Sequence, residues 1–420
     1  MKKITTWSSV ALSLIVTVFV FQRCVKDTVA RTYTMYTPVY KTRDEVRANI
    51  KNDAPHSVEN PGKMFILGNY VYLNEIDKGI HIIDNSNPSR PVNKYFVAIP
   101  GNIDLAVTGN TLYADLYTDL VTLDIANPSA IRVKKITDGV FPLRRYSGNF
   151  AADNTRIITE WIRKDTTVTT DIEGVQSSRG GVLFFDARAV AAVAPSATNN
   201  AAVGISGSMA RFTLLNNYLY TVTDNALNVF DISQPENPVF ANKVNLSFGI
   251  ETIYSFKKNL FIGSQTGMLI FSTTNPAQPM QSGTFAHARV CDPVIADDNY
   301  AYVTLSSGSK CAGFTNQLDV VNIQNLQSPK LVKSYSLTNP HGLSKDGNTL
   351  FICDGADGVK VFDAADANNI KLLQTINGMD AFDVIATNGV AIVVAKDGLY
   401  EYDYTNRSSV RLLSKISYNK

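Results

Sequence analysis

Residues 74–88 read NEIDKGIHIIDNSNP, and within them a short β-rich run, IHIID, ends at Asp84 just before an Asn87-Pro88 turn signal. The same phrase returns along the chain as VTLD to Asp124, VLFFD to Asp186, LNVFD to Asp231, VKVFD to Asp363 and YEYD to Asp403. Two weaker copies, MLIFS at Ser272 and LDVVN at Asn322, fill the gaps. The mean spacing is about 46 residues, in the range of four short strands per repeat.

The order of signals inside a unit is constant. A strand reaches a two-residue turn (Gly68-Asn69, Gly109-Asn110, Asn216-Asn217, Gly347-Asn348 or Asn388-Gly389), and a β-rich strand follows at once. Asn and Gly suit these places because a two-residue hairpin turn demands positive φ. The Asp-terminated strand comes next, then an Asn-Pro turn and a fourth run such as Val92–Ile99, Val239–Leu246 or Lys330–Tyr335. Four antiparallel strands per repeat with no helical period between them describe a propeller blade. The fold class is therefore all-β: a β-propeller of eight four-stranded blades, with seven as the alternative. The terminal Asp is read as architectural, its carboxylate accepting backbone N–H groups in the turn that follows.

Three stretches interrupt the period. Lys164 to Gly180 is a polar insertion, Ala187 to Ser206 is rich in Ala, Asn and Ser, and Ser306 to Gln317 is a smaller insertion holding Cys311. Ahead of the first blade, Thr42-Arg43-Asp44-Glu45 forms a capping box, which predicts one short N-terminal helix at about Arg43–Lys51.

The 420 residues would by length alone suggest about three domains, but the repeats replace that expectation with one ring. With 39 basic and 37 acidic residues the formal charge is +2, which gives no electrostatic footprint for nucleic acid. The start of the chain reads as an address. Lys2-Lys3 precedes the apolar run Val10–Phe21, the length of a signal-peptide core and short of the ~20 residues needed to span a bilayer. Cys24 follows in the place of a lipidated cysteine, which sets a signal peptide at 1–23, a lipid-anchor tether with the short helix at 24–60 and the propeller at 61–420. An uncleaved anchor over Trp7–Phe21 is the alternative, and either places the rest of the chain outside the cytoplasmic membrane. Exported thiols can be oxidised, so Cys291, Cys311 and Cys353 are disulfide candidates, with Cys311 bridging to Cys291 ahead of Cys353.

The repeated hydrophobic-Asp strands with their Asn-Pro turns resemble the LVIVD-repeat proteins. So do GNIDLAVTGNTLYADLYTDLVTLDIANP (101–128), CDPVIADDNYAYVTL (291–305), NPHGLSKDGNTLFICDG (339–355) and the lipoprotein-like start. That resemblance covers nearly the whole chain after Cys24. It implies a β-propeller at a bacterial surface of the Bacteroidetes type, anchored in the outer membrane or cell envelope, and it brings no catalytic residues.

Catalytic constellations are absent from the sequence: no Gly-x-Ser-x-Gly elbow, no His-Glu-x-x-His, no phosphate-cradling loop. The four histidines, 56, 81, 287 and 341, show no metal-ligand spacing, and neither metal nor cofactor is assigned, a channel Ca²⁺ being the one alternative. What remains is geometry, since residues entering each first strand surround the channel mouth. Aligning units by their turns places Asp104, Arg211, Thr252 and Asp383 in one column, with Glu251, Asp292 and His341 one position earlier. These are the candidate ligand-binding residues. The leading expectation is a non-enzymatic binding or scaffold module with a protein or glycan partner. The alternative is a propeller enzyme acting on envelope or extracellular glycans at the channel mouth through Asp104, Asp292, His341 and Asp383.

Overall fold

The computed structural model describes residues 28–144, 146, 155–171, 204–287, 293–307 and 315–418. The chain divides into two compact units, one drawn from 1–40, 146–150 and 158–185 and the other from 41–145, 151–157 and 186–420.

The larger unit is the propeller. Its first strands pack side by side from the first blade through to the seventh, so they line the channel. Blade 1 comprises Pro61–Leu67, Tyr70–Glu75, Gly79–Asp84 and Val92–Ala98; blade 2, Leu105–Thr108, Thr111–Leu116, Asp119–Asp124 and Arg132–Thr137. Blade 3 is Phe212–Leu215, Tyr218–Thr223, Ala226–Asp231 and Val239–Asn245; blade 4, Ile250–Phe256, Asn259–Ser264, Gly267–Ser272 and Met280–Ala286. Blade 5 is Val294–Ala296, Tyr300–Leu305, Gln317–Asn322 and Lys330–Ser336. Blade 6 is Leu343–Asp346, Thr349–Cys353, Val359–Asp363 and Lys371–Ile376, and blade 7 is Ala381–Thr387, Val390–Ala395, Gly398–Asp403 and Arg411–Ser417.

Seven such sheets form, which corrects the leading count of eight to the alternative of seven. The supernumerary unit is the one ending at Asp186, which lies outside the described residues. The chain between blades 2 and 3 supplies something else: the long strand Arg156–Asp171 and a short strand, Ile205–Ser206, added to the channel edge of blade 1.

Local chemistry explains the repetition. Asn216 and Asn217 have φ of 52° and 62°, and Asn388 and Gly389 have 52° and 82°, the left-handed pairs that two-residue hairpins require. Every blade carries a bulge between its third and fourth strands, as at Ile82/Ile83 and Val229/Phe230, which adds twist to the outer edge. Each blade-terminal Asp accepts the N–H two residues on: Ser86 to Asp84 at 2.9 Å, Ala126 to Asp124 at 3.0 Å, Ser233 to Asp231 at 2.8 Å, Ala365 to Asp363 at 3.1 Å and Thr405 to Asp403 at 2.9 Å. In blades 3, 4 and 6 the turn carbonyl four residues beyond the end of the third strand is bonded from the preceding blade. Tyr113 Oη donates to Pro235 O at 2.7 Å, Tyr220 Oη to Pro276 O at 2.8 Å and Tyr335 Oη to Ala367 O at 3.3 Å.

The ring closes with the same bond, Ser414 Oγ of blade 7 donating to Pro88 O of blade 1 at 2.6 Å. Apolar packing completes that seam: Val58, Met64, Val71, Leu73 and Ile83 form one buried cluster with Ile385, Ile392, Val394, Leu399 and Tyr418.

The helix occupies Arg43–Arg47, shorter than the expected reach to Lys51, with its capping box formed by Thr42 and Glu45. It stops because Lys51–Asp53 adds a strand to the outer edge of blade 1. The second unit holds a two-stranded sheet of Thr28–Thr42 and Arg156–Asp171, so neither the expected tether nor the first part of the expected polar insertion is a simple loop. Thr34 Oγ1 donates to Asp165 Oδ1 across this ribbon at 2.6 Å. Among the described residues no helix is long and apolar enough to cross a membrane.

The turn chemistry predicts that Asp231→Ala lowers the unfolding free energy by about 1 kcal/mol in urea titration, while Asp231→Asn, which keeps an accepting oxygen, changes it little. Equal losses in the two variants would show that the carboxylate serves another purpose.

Candidate functional site at the channel mouth

Counting five residues back from each hairpin turn gives the column Asp104, Arg211, Thr252 and Asp383, and the same count from Gly68 gives Lys63. Blades 7, 1, 2 and 3 are consecutive around the ring, so acidic and basic residues alternate along it as Asp383, Lys63, Asp104 and Arg211. Lys63 Nζ donates to Asp104 Oδ2 at 2.8 Å, with both side chains almost fully buried. The Arg211 backbone N–H donates to the same oxygen at 2.6 Å, and Leu105 N–H donates to Oδ1 at 2.7 Å. Burial pulls the Lys63 pKa down, against the opposing pull of Asp104. A buried pair is tolerated when its remaining hydrogen-bonding capacity is also met, and Asp104 holds three donors.

The Arg211 guanidinium turns away from this carboxylate. Its Nη2 donates to Asp224 Oδ1 at 2.6 Å and to Ile250 O at 3.3 Å. Beyond the short strand Ile205–Ser206, residues 207–211 carry the chain to blade 3, and the whole segment 204–211 is bonded to inner strands around the ring. Gly204 N–H donates to Val107 O at 2.9 Å, Gly207 N–H to Met64 O at 3.1 Å, and Ala210 O accepts from Ile253 N–H at 2.8 Å. Ser208 Oγ accepts from Leu343 N–H. Ser206, Ser208, Met209 and Ala210 are all buried. Blades 1, 2, 4, 6 and 7 thus all hold this one segment, which fills the channel from within.

Asp383 lies beneath it. Its Oδ1 accepts from Ser208 N–H at 2.9 Å, Ser208 Oγ at 3.2 Å and Val384 N–H at 3.0 Å, while Oδ2 is buried without a hydrogen-bond partner. Burial pushes its pKa up to about 8 against those hydrogen bonds and the Lys63 charge. It is therefore mostly protonated at neutral pH. The fit is close: a Cβ on Gly207 would stand 1.9 Å from Asp383 Oδ2, and one on Gly342 would stand 2.2 Å from Oδ1.

The other described candidates are held by different partners. Glu251 Oε1 accepts from Gln265 Nε2 at 3.2 Å. His341 ties blades 5 and 6 together, its carbonyl accepting from Thr304 Oγ1 at 2.7 Å while its Nε2 lies 3.1 Å from Asn339 Nδ2. Asp292, Cys24, Cys291 and Cys311 lie outside the described residues. Cys353 carries a fully buried free thiol whose pKa burial raises well above its usual value.

Sequence reasoning passed over Lys63 although its place in the column was countable. It also passed over residues 204–211, whose Gly-Ile-Ser-Gly-Ser run has no strand period to signal a role.

Asp383 gives a pH prediction. A carboxyl raised from about 3.9 unfolded to about 8 folded keeps its proton in the native state while the unfolded chain loses it. Its contribution is complete below the unfolded pKa and is lost as pH rises through the folded one. Wild type should therefore lose stability relative to Asp383→Asn between about pH 4 and 8, with a slope approaching 1.4 kcal/mol per pH unit in denaturant titrations. Parallel curves for the two proteins would contradict a protonated Asp383.

A family model described as the LVIVD repeat matches residues 62–98, 102–138, 206–246 and 289–337, which carry blades 1, 2, 3 and 5. No curated protein matches the sequence. Among solved structures, the chain is similar to a functionally unknown protein from Desulfotomaculum acetoxidans at 12% identity and TM-score 0.50, covering 84% of this chain and 95% of that one. It is also similar to the computationally designed Ika8 protein (11% identity, TM-score 0.48, 87% and 90% covered) and to BamB from Moraxella catarrhalis (9%, 0.46, 91% and 91%). These likenesses are of fold alone. The chain carries LVIVD repeats and folds as a seven-bladed β-propeller.

Proposed function

We propose that this chain is an exported, lipid-anchored propeller that acts at the cell envelope as a non-enzymatic binding or scaffold module, presenting its outer surface to a protein or glycan partner. The observation that carries this reading is the filling of the channel by residues 204–211. A channel-mouth enzyme needs carboxylates that reach substrate, whereas Asp104 is held by three donors and Asp383 is covered by Gly207 and Gly342.

The outer edge supports the same reading. Val133, Phe240, Leu331, Leu372 and Leu412 are exposed on the fourth strands of blades 2, 3, 5, 6 and 7, each opposite the next-to-last residue of the third strand, while Val92, Val239 and Met280 are exposed one position earlier in blades 1, 3 and 4. Single exposed apolar residues are ordinary, but one at the same place in five of the seven blades makes a repeated contact surface. Anchoring rests on the Lys2-Lys3 start, the Val10–Phe21 run and Cys24.

Metabolic labelling with an alkyne fatty acid, followed by cell fractionation, tests the proposal. Wild type should carry label and sediment with envelope membranes, and Cys24→Ser should do neither. An unlabelled, cytoplasmic wild type would overturn it, as would cleavage of envelope glycans that disappears in Asp104→Asn.

A further inference from the structure

Away from the channel, three side chains with metal-ligating atoms converge on blade 1. One ligand atom each from His56, Glu75 and His81 lies within 4.8 Å of the others, with Glu75 and His81 fully buried and His56 exposed. They are brought together by the strand pleat and by the segment before the blade. Side chains alternate across a sheet, and Val71, Leu73 and Ile83 belong to the cluster that packs against blade 7. Glu75 and His81 share that face by the same alternation. Val58 is buried in the cluster too, which holds the stretch carrying His56 over this face.

The hydrogen bonds around the three residues orient their lone pairs. Glu75 Oε1 accepts from Asn60 N–H at 2.9 Å, and Oε2 lies 2.9 Å from His81 Nε2. His56 Nδ1 lies 2.9 Å from the Ser57 carbonyl, an acceptor only, so Nδ1 carries the proton and Nε2 keeps its lone pair. An imidazole whose second nitrogen donates to a carbonyl is the usual support for a metal ligand. The outer support of His81 is Asn93, whose Nδ2 is 3.1 Å from His81 Nδ1 and 2.8 Å from His56 O, and whose Oδ1 is buried with no partner. A half-turn of that amide, which gives up its bond to the His56 carbonyl and so requires the His56 segment to shift, would let Oδ1 accept a proton on His81 Nδ1, leaving Nε2 to bind an ion.

We propose that His56, Glu75 and His81 form a binding site for a divalent transition ion of the zinc class, at the seam where blade 7 closes onto blade 1. Two imidazoles and one carboxylate are the ligand set of borderline ions such as zinc, unlike the oxygen sets that calcium and magnesium prefer. Ligand bonds of about 2.0–2.2 Å require the three atoms to draw closer by roughly an ångström, which the exposed His56 segment can supply. The fourth position opens to solvent on the His56 side. The ion would join the segment before blade 1 to the blade itself, beside the cluster that closes the ring, and so stabilise closure.

The test uses untagged full-length protein stripped with chelator, titrated with zinc chloride by calorimetry, and with cobalt chloride by visible absorption. One equivalent of zinc is expected at micromolar or tighter affinity, with a higher unfolding midpoint and a cobalt spectrum of four-coordinate type. His56→Ala, which removes an exposed side chain and should leave the fold intact, is expected to weaken binding at least about tenfold and abolish the cobalt bands. Asp357→Ala, an exposed carboxylate elsewhere, should change neither. The proposal is overturned by the absence of stoichiometric binding, or by zinc affinity that His56→Ala and Glu75→Gln both leave unaltered.

Discussion

One carboxylate, Asp104, binds three blades at once. It takes the Lys63 ammonium from blade 1, the Arg211 backbone from the entry to blade 3 and the Leu105 amide of its own blade 2. Because the pair is out of water, losing either partner would leave a charge buried alone, which is far costlier than losing an exposed ion pair. The constraint passes along the chain from Arg211. Fixing that residue against Asp104 helps to hold the segment just before it across the channel, where Ser208 meets Asp383 and the amide of Leu343. The inner ends of the blades are thus held by hydrogen bonds to a common strap as well as by packing between neighbours.

The outer ends are held differently. All four strands of each blade come from one continuous stretch, and among the described residues no strand from the start of the chain completes the last sheet. The ring is shut instead by side chains. The seam between blades 7 and 1 uses the cluster around Leu73 and Leu399, the Ser414 to Pro88 bond and a bond from Asn85 Nδ2 to buried Glu401 at 3.0 Å. Burial raises the Glu401 pKa to about 7. The bond at Pro88 matches those at Pro235, Pro276 and Ala367, which makes closure one more instance of the ordinary blade contact. In a repeat architecture the last interface has to resemble the others, since each repeat is stable only through its neighbours.

Much of this was legible in the sequence because it is local. The Asp-terminated strands, the Asn and Gly turns and the capping box at Thr42 each act within a few residues, and each took the form that its chemistry dictates. The blade number was misjudged at Asp186, where VLFFD has the composition of a repeat but the intervals around it break the period. The channel was legible as a column of positions and opaque as a set of contacts. Asp104 and Asp383 were identified, yet the segment that covers them arrives from a run of small residues with no period, and its partners lie in five different blades. The His56, Glu75 and His81 cluster was hidden for a related reason: pleat alternation sets Glu75 and His81 on one face, but only the fold of 54–60 brings His56 over them.

The central claim is that residues 204–211 fill the channel as a fixed part of the propeller. Hydrogen exchange of the native protein, followed by mass spectrometry of peptides spanning 204–211, tests it most directly. The account predicts protection comparable to that of the inner strands Met64–Leu67 and Leu343–Asp346. Exchange of these amides at the rate of an open loop, with the inner strands still protected, would contradict it.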